Sequence, residues 1–403
     1  LDWGGFLRTA QVLQSRGHQV IWLSEPPIRP LVDAAGLPFQ AIPVTGWLWP
    51  PPPPPDLTNI LPQEAVFLRY RRALDTWLTE ELIYQGVDSI LALAESTGKP
   101  DVILTDPFLV AAALAAEKLN VKLGVVGWPA GQPLDENQMF AVQQDLSRIS
   151  KERIKRLTDH YGLEGVNFSG GAAPAVQSPD LHLSFFSREW HQADPDFLPQ
   201  TRFMGGIAQP YSGDPSAWLA DIPAKMRCAL ITLGSTFTGD LGFFGWAAQA
   251  AARLRLTPIV VIGTTPLPPE QKEQLKASLP PGTRLLAWIK YDEVFPRLSV
   301  IIHHGGMATT HSAILAGIPQ VVVPHAADQR GQARRAAQAK VGLNLTAHDV
   351  KTGQLLPAIR AVVTDPNVSA NVAGLKEAFA KLGGVSQAAT EVEKILLGLP
   401  ALG

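Results

Sequence analysis

SVIIHHGGMATTHSAILAGIPQVVVPHAADQ, residues 299–329, decides the fold, because it reads as one complete β-α-β unit. Val300-Ile301-Ile302 has the length and β-branched content of a strand buried on both faces. His303-His304-Gly305-Gly306 ends it. Good helix formers run from Ala308 to Ala316, and Gly317-Ile318-Pro319 stops the helix with a C-terminal glycine and a following proline. Gln320 to Val323 reads as a second buried strand. In such a crossover the turn after the first strand lies at the carboxyl edge of the sheet, where the helix N-terminus directs its free N–H groups. Glycines at 305 and 306 permit close backbone approach, and Thr309 and Thr310 add hydroxyls, so the turn suits a diphosphate. The second strand ends at the same edge. Asp328 and Gln329 therefore emerge beside the turn, with the acceptor and bidentate amide that a hydroxyl-rich ligand needs.

His304-Gly305-Gly306, Pro324 and Asp328-Gln329 resemble in type and spacing the donor-binding signature of GT-B glycosyltransferases that use nucleotide-activated sugars. The resemblance is greatest to bacterial members that decorate natural products, lipids and sterols, and to the plant UDP-glycosyltransferases. It implies an α/β chain with the GT-B fold, two doubly wound Rossmann-like domains facing across a cleft. The implied chemistry is an inverting, metal-independent transfer of a sugar from a UDP-sugar or TDP-sugar to a hydroxyl of an apolar small molecule. The nucleotide sugar is then a co-substrate, and no cofactor is expected.

Length and composition agree with this expectation. A chain of 403 residues exceeds one ordinary core, and 46% hydrophobic against 17% charged residues supplies material for two buried sheets. A formal net charge of −2 argues against nucleic acid as a main partner. Cys228, the single cysteine, cannot form an internal disulfide, which suits a reducing cytosol. No apolar run reaches the ~18 residues of a spanning helix, and no signal peptide is visible. Strand and helix alternate in both halves, and a stretch rich in Gly, Pro, Ser and Asp around Gly205 to Pro223 separates them. The expected division is an acceptor-binding domain over 1–208, a donor-binding domain over 209–385, and a C-terminal helix over 386–403 able to pack back on the first. The first domain begins at Leu1 without the strand such a domain needs, which points to residues upstream. Pro50 to Pro55 is expected to form a stiff polyproline loop, since proline donates no backbone hydrogen bond.

Other parts of the donor pocket follow from the resemblance. Ile231-Thr232-Leu233-Gly234-Ser235-Thr236 is similar to the family's strand and small-residue turn reaching the diphosphate, with Ser235 and Thr236 as candidates. Trp288 resembles the aromatic on which the nucleobase stacks, with the Ile289 backbone reading the base edge. His304, Gly305, Gly306, Met307, Ala308 and Thr309 make the phosphate turn, and Asp328 and Gln329 hold the sugar. Ser312 stands where many members carry a ribose-binding glutamate, which weakens UDP relative to TDP.

The resemblance implies a catalytic base about fourteen residues before an Arg-Gly-His turn. Counting back from Arg16-Gly17-His18 reaches Asp2, with a histidine upstream of Leu1 as the alternative. Leu1 replaces the usual glycine, and Gly5 stands where proline is common. Asp106 resembles the carboxylate that orients the base, and two nearby carboxylates would raise one pKa and share a proton. Trp3, Trp47, Trp49 and Trp128 are candidates to line an apolar acceptor groove. Arg69, Arg71 and Arg72 read as a solvated helix face, with peripheral contact to anionic lipid or to an acidic acceptor as the other readings. His303 and His304, adjacent at a strand end, point to opposite faces and cannot chelate one ion together. His304 and the helix N-terminus are therefore expected to take a cation's role at the diphosphate. Two other functions fit the same outline: a sugar-nucleotide epimerase or hydrolase, and a catalytically dead homologue that binds a nucleotide sugar or an apolar ligand.

Overall fold

The computed structural model describes the chain except residues 1–4, 49–59, 134, 136, 138, 172–174, 209–210, 212, 235–240, 264–266, 326–327 and 401–403, and the side chains of 62 and 63. Among the described residues every sheet is parallel. The chain divides into two compact units. The first comprises 1–185, 195–204 and 385–403, the second 186–194 and 205–384.

In the first unit β1 (Trp22–Ser24) pairs with β2 (Phe39–Ala41). A separate four-stranded sheet runs β3 (Val102–Thr105), β4 (Lys122–Val126), β5 (Leu181–Ser184) and β6 (Thr201–Phe203) in that order. The helix Val110–Leu119, VAAALAAEKL, connects β3 to β4 and buries every residue from Val110 to Ala116. Its alanines let the helix axis come close to the sheet, and Asn120 ends it in the left-handed region at φ 52°.

The C-terminal segment belongs to this unit. Leu396 lies against β4 where Gly124 leaves room, since a Cβ there would come within 2.9 Å of Leu396 Cδ1. The Glu393 carboxylate accepts from Arg16 Nη1 at 2.7 Å and contacts His18 Nε2 at 3.0 Å, with its side chain only 4% exposed. Removing Arg16 would strand a buried charge, at a cost of about 3–5 kcal/mol. The Arg16-Gly17-His18 turn is thus tied to the end of the chain.

The second unit holds β7 (Cys228–Thr232), β8 (Thr257–Val261), β9 (Arg284–Leu286), β10 (Leu298–His303), β11 (Gln320–Val322) and β12 (Gly342–Asn344). Their order across the sheet is β12-β11-β10-β7-β8-β9. The direction of winding reverses between β7 and β10, so the loops leaving those two strands diverge and open a crevice at their carboxyl ends. One face is packed by the helix Leu241–Arg253, which buries Phe243 and Phe244 beside Ile231, Val300 and Ile302. Each such side chain contributes roughly 1.5–3 kcal/mol of burial. Segment 186–194 docks on the same unit. Trp190, 1% exposed, donates its indole N–H to Gln332 Oε1 at 2.9 Å, and Asp194 accepts from Arg334 and Arg335 at 2.9 and 2.6 Å.

Candidate functional site

The reversal point of the second sheet carries the turn expected to hold a diphosphate. β10 ends at His303, paired with Thr232 of β7 and Val322 of β11, so the loops after all three strands leave the same edge. The helix Met307–Ala316 starts directly after Gly305 and Gly306 and is closed by Gly317 at φ 73°. Gly306 is its N-cap and brings no side chain to its amides. The free N–H groups of the first turn and the partial positive charge of the helix end are therefore available to an anion.

Two glycines make the niche for His304. A Cβ on Gly234 would come within 2.9 Å of the ring's Cε1, and one on Gly306 within 2.5 Å of its Nε2. The imidazole lies between two backbone segments that only glycine allows so close. Its Nδ1 is buried without a hydrogen-bond partner. Burial and the nearby His325 lower its pKa to about 4, so near neutral pH the ring is an uncharged donor or acceptor. The positive end of the site is the helix N-terminus. Gly305, at φ 89°, is pressed against the Gln329 backbone, where a Cβ would come within 2.9 Å of the carbonyl oxygen.

The other expected donor residues that are described belong to the same unit. Met307 and Thr309 are buried and Ala308 is exposed. The Thr309 hydroxyl lies 3.1 Å from the Tyr291 hydroxyl, whose ring stacks on Phe295. Asp328 is the N-cap of the helix Gln329–Gln338, and burial raises its carboxyl above the ordinary range. Gln329 accepts the His325 N–H with Oε1 at 2.9 Å. Trp288 follows β9 and is 62% exposed, so its indole is a free platform, while Ile289 beside it is buried in the core. Ser235 and Thr236 lie outside the described residues.

The first unit gathers a second set. Asp106 follows β3, and its Oδ1 accepts the Phe108 N–H at 2.7 Å, forming a tight turn ahead of the helix Val110–Leu119. Burial pushes its carboxyl up to about 6, against backbone hydrogen bonds from Phe108 and Leu109 that pull it down. The largest cause is desolvation. Phe108 stands between two of the expected tryptophans: its ring centroid is 5.4 Å from that of Trp47 and 6.3 Å from that of Trp128, both edge-on. The Trp128 carbonyl is held by His182 of β5, whose Nδ1–H donates at 3.0 Å while Nε2 accepts the Ser178 N–H at 3.0 Å. Asp2, Trp3, Trp49 and the proline run lie outside the described residues.

Sequence reasoning passed over Phe108 and Tyr291, and placed Gly234 in the diphosphate turn without seeing that it makes room for the His304 ring. Phe108 carried one usable signal, its place two residues after Asp106 across Pro107, where a turn brings a side chain back beside the carboxylate. Tyr291 carried none. On the helix Pro62–Trp77 Arg69 is exposed, and Arg71 pairs with Asp75 at 3.1 Å. Among the described residues no three His, Cys, Asp or Glu side chains are grouped to hold a metal ion. No described helix is long and apolar enough to cross a membrane.

The chain is similar to known proteins in sequence and in fold. Residues 260–396 match the family model described as the erythromycin biosynthesis protein CIII-like, C-terminal domain. The chain is 26% identical to the O-mycaminosyltylonolide 6-deoxyallosyltransferase of Streptomyces fradiae, over 96% of this chain and 93% of that one. Among solved structures, the glycosyltransferase of kitacinnamycin superposes with a TM-score of 0.74 at 22% identity, covering 98% and 96% of the two chains. A spinosyn rhamnosyltransferase complexed with thymidine diphosphate gives 0.70 at 20% identity, covering 96% of each.

Proposed function

We propose that this chain is a GT-B glycosyltransferase of the nucleotide-sugar, natural-product type and that it moves a sugar from a UDP- or TDP-sugar to a hydroxyl of an apolar small molecule, with inversion and without a metal ion. The observation that carries the proposal is the His304 niche at the head of an uncapped helix, at the point where the second sheet reverses.

In this reading the diphosphate lies on the amides of Met307, Ala308 and Thr309, with the neutral His304 ring donating a hydrogen bond. As the bond from the anomeric carbon to the diphosphate oxygen breaks, the developing charge is met by donors already in place, which is the efficient form of electrostatic stabilisation. Trp288 carries the base. Asp328 and Gln329 take the sugar hydroxyls. A similar solved structure holds thymidine diphosphate, and Ser312 in place of a ribose-binding glutamate accords with a deoxyribose donor.

The acceptor belongs to the first unit, where Trp47, Phe108 and Trp128 offer apolar faces. Their edge-on rings suit a flat or polycyclic aglycone, for which aromatic contacts add about 0.5–1.5 kcal/mol each beyond area. The acceptor oxygen attacks the anomeric carbon from the side opposite the diphosphate, and its proton passes to a carboxylate base. Asp2 is proposed as that base and Asp106 as the group that orients it and buffers the proton.

The test is a transfer assay with a panel of UDP- and TDP-hexoses and hydroxylated polycyclic acceptors, run in excess chelator, with the product's anomeric configuration read by NMR. Inverted product at an undiminished rate in chelator supports the proposal. Retention at the anomeric carbon, or activity restored only by added divalent cation, would refute it.

A further inference from the structure

We propose that His303 is a positioning residue for the donor turn: locked as one neutral tautomer between Gln320 and the Gly305 N–H, it holds the turn in the shape that presents the helix amides to a nucleotide diphosphate. The inference rests on reading that turn as the diphosphate site.

His303 is the last residue of β10 and is fully buried. The Gly305 N–H meets its Nδ1 at 3.1 Å. A backbone N–H can only donate, so Nδ1 must present a lone pair, and the neutral ring then carries its proton on Nε2. That nitrogen lies 2.9 Å from Gln320 Oε1 and donates to it. The assignment is self-consistent in one way only. A proton added to Nδ1 would face the Gly305 hydrogen, and burial likewise keeps the ring neutral, lowering its pKa to about 3.

The lock has a geometric effect. With its N–H turned back onto the preceding strand, Gly305 takes φ 89° and packs against the Gln329 backbone. Gly306 follows at φ −62°, ψ 141° as N-cap, and the helix begins at Met307. The Gly305 amide is thereby occupied, and the amides left for a ligand are those of the first helical turn, which have no carbonyl one turn back. Gln320 opens β11 and pairs with Ile301 of β10, so the turn is keyed to the pairing of the two strands that carry the donor residues.

The bland rival is a core histidine that merely satisfies its own nitrogens. Amide side chains separate the two readings, because asparagine places its oxygen near the Nδ1 position while glutamine reaches the Nε2 position. His303→Asn retains an acceptor for Gly305; His303→Gln retains a partner for Gln320 and abandons Gly305.

The experiment is calorimetric titration of TDP and of UDP into the wild type and both variants, with a thermal melt of each. The expected result is that His303→Asn binds within about threefold of the wild type, and His303→Gln, melting at the same temperature as His303→Asn, loses about tenfold or more. Equal binding by His303→Gln and wild type, or equal loss in both variants, overturns the inference. Should either variant fail to fold, nitrogen-15 NMR of the wild-type imidazole decides: His303 with Nε2 protonated and unchanged across the neutral range supports the lock, and the opposite tautomer or a titration near neutrality overturns it. Should the wild type bind neither nucleotide, the donor-site reading falls, and the same NMR result still decides the tautomer.

Discussion

The His304 imidazole rests on Gly234, with the ring's Cε1 only 2.9 Å from where a Cβ of residue 234 would stand. Gly234 also has φ 86°, which a non-glycine residue adopts at a cost of about 1–2 kcal/mol. Gly234→Ala is therefore expected to displace the ring and lower nucleotide affinity about tenfold or more while the protein still folds. Calorimetric titration checks this, and unchanged affinity would show that the ring's position does not matter.

Asp106 makes the acceptor half testable by pH. With its carboxyl at about 6, it passes from mostly protonated to mostly ionised as pH rises through that value. Turnover that uses the ionised form rises over the same interval. Asp106→Asn should lower kcat by roughly 10²–10⁴ and remove that limb of the profile, with the donor KM nearly unchanged. A variant retaining both rate and profile would exclude the residue from proton handling.

For Trp288, the exposed indole predicts a binding effect with little chemistry in it. Trp288→Ala should cost about 1–3 kcal/mol of donor binding, read as a raised donor KM with kcat close to wild type. A fall in kcat alone would reassign the side chain.

Residues 299–329 were legible because each feature is local: β-branched strands, a glycine pair, a helix with a glycine stop. The positions of Gly305, His304 and Asp328 followed from where two adjacent parallel strands must end. Contacts distant in sequence were not legible. The Arg16–Glu393 pair joins residues 377 positions apart, and nothing local in either segment names the other. The His304 niche has the same character, since Gly234 and Gly306 meet the ring from loops after different strands. Charge state was the other hidden quantity. His304 read as taking a cation's role with the helix N-terminus, and burial keeps its ring neutral.

Acid stability follows from the same burial. His182, His191 and His304 are lowered to about 4, and His303 to about 3. Unfolded histidines titrate near ~6.5, so between that value and about 4 the unfolded chain binds more protons than the folded one. The stability contributed by keeping these rings neutral is full above about 6.5 and is lost as pH falls toward 4. Asp106, at about 6 in the folded state, and Asp328, also raised by burial, act in the opposite sense and stabilise the fold on acidification, but they are two groups against four. The melting temperature should therefore fall between about pH 7.5 and about pH 5. Scanning calorimetry at both values checks it; a constant or rising Tm would contradict the assignment of these rings as buried and neutral.

The most direct test of the central claim is calorimetric titration of the wild type and His304→Ala with TDP and UDP in the presence of EDTA. The account predicts saturable one-to-one binding of at least one nucleotide by the wild type without metal, weakened about tenfold or more in the variant. Absence of binding until divalent cation is added, or equal affinity in the two proteins, would contradict it.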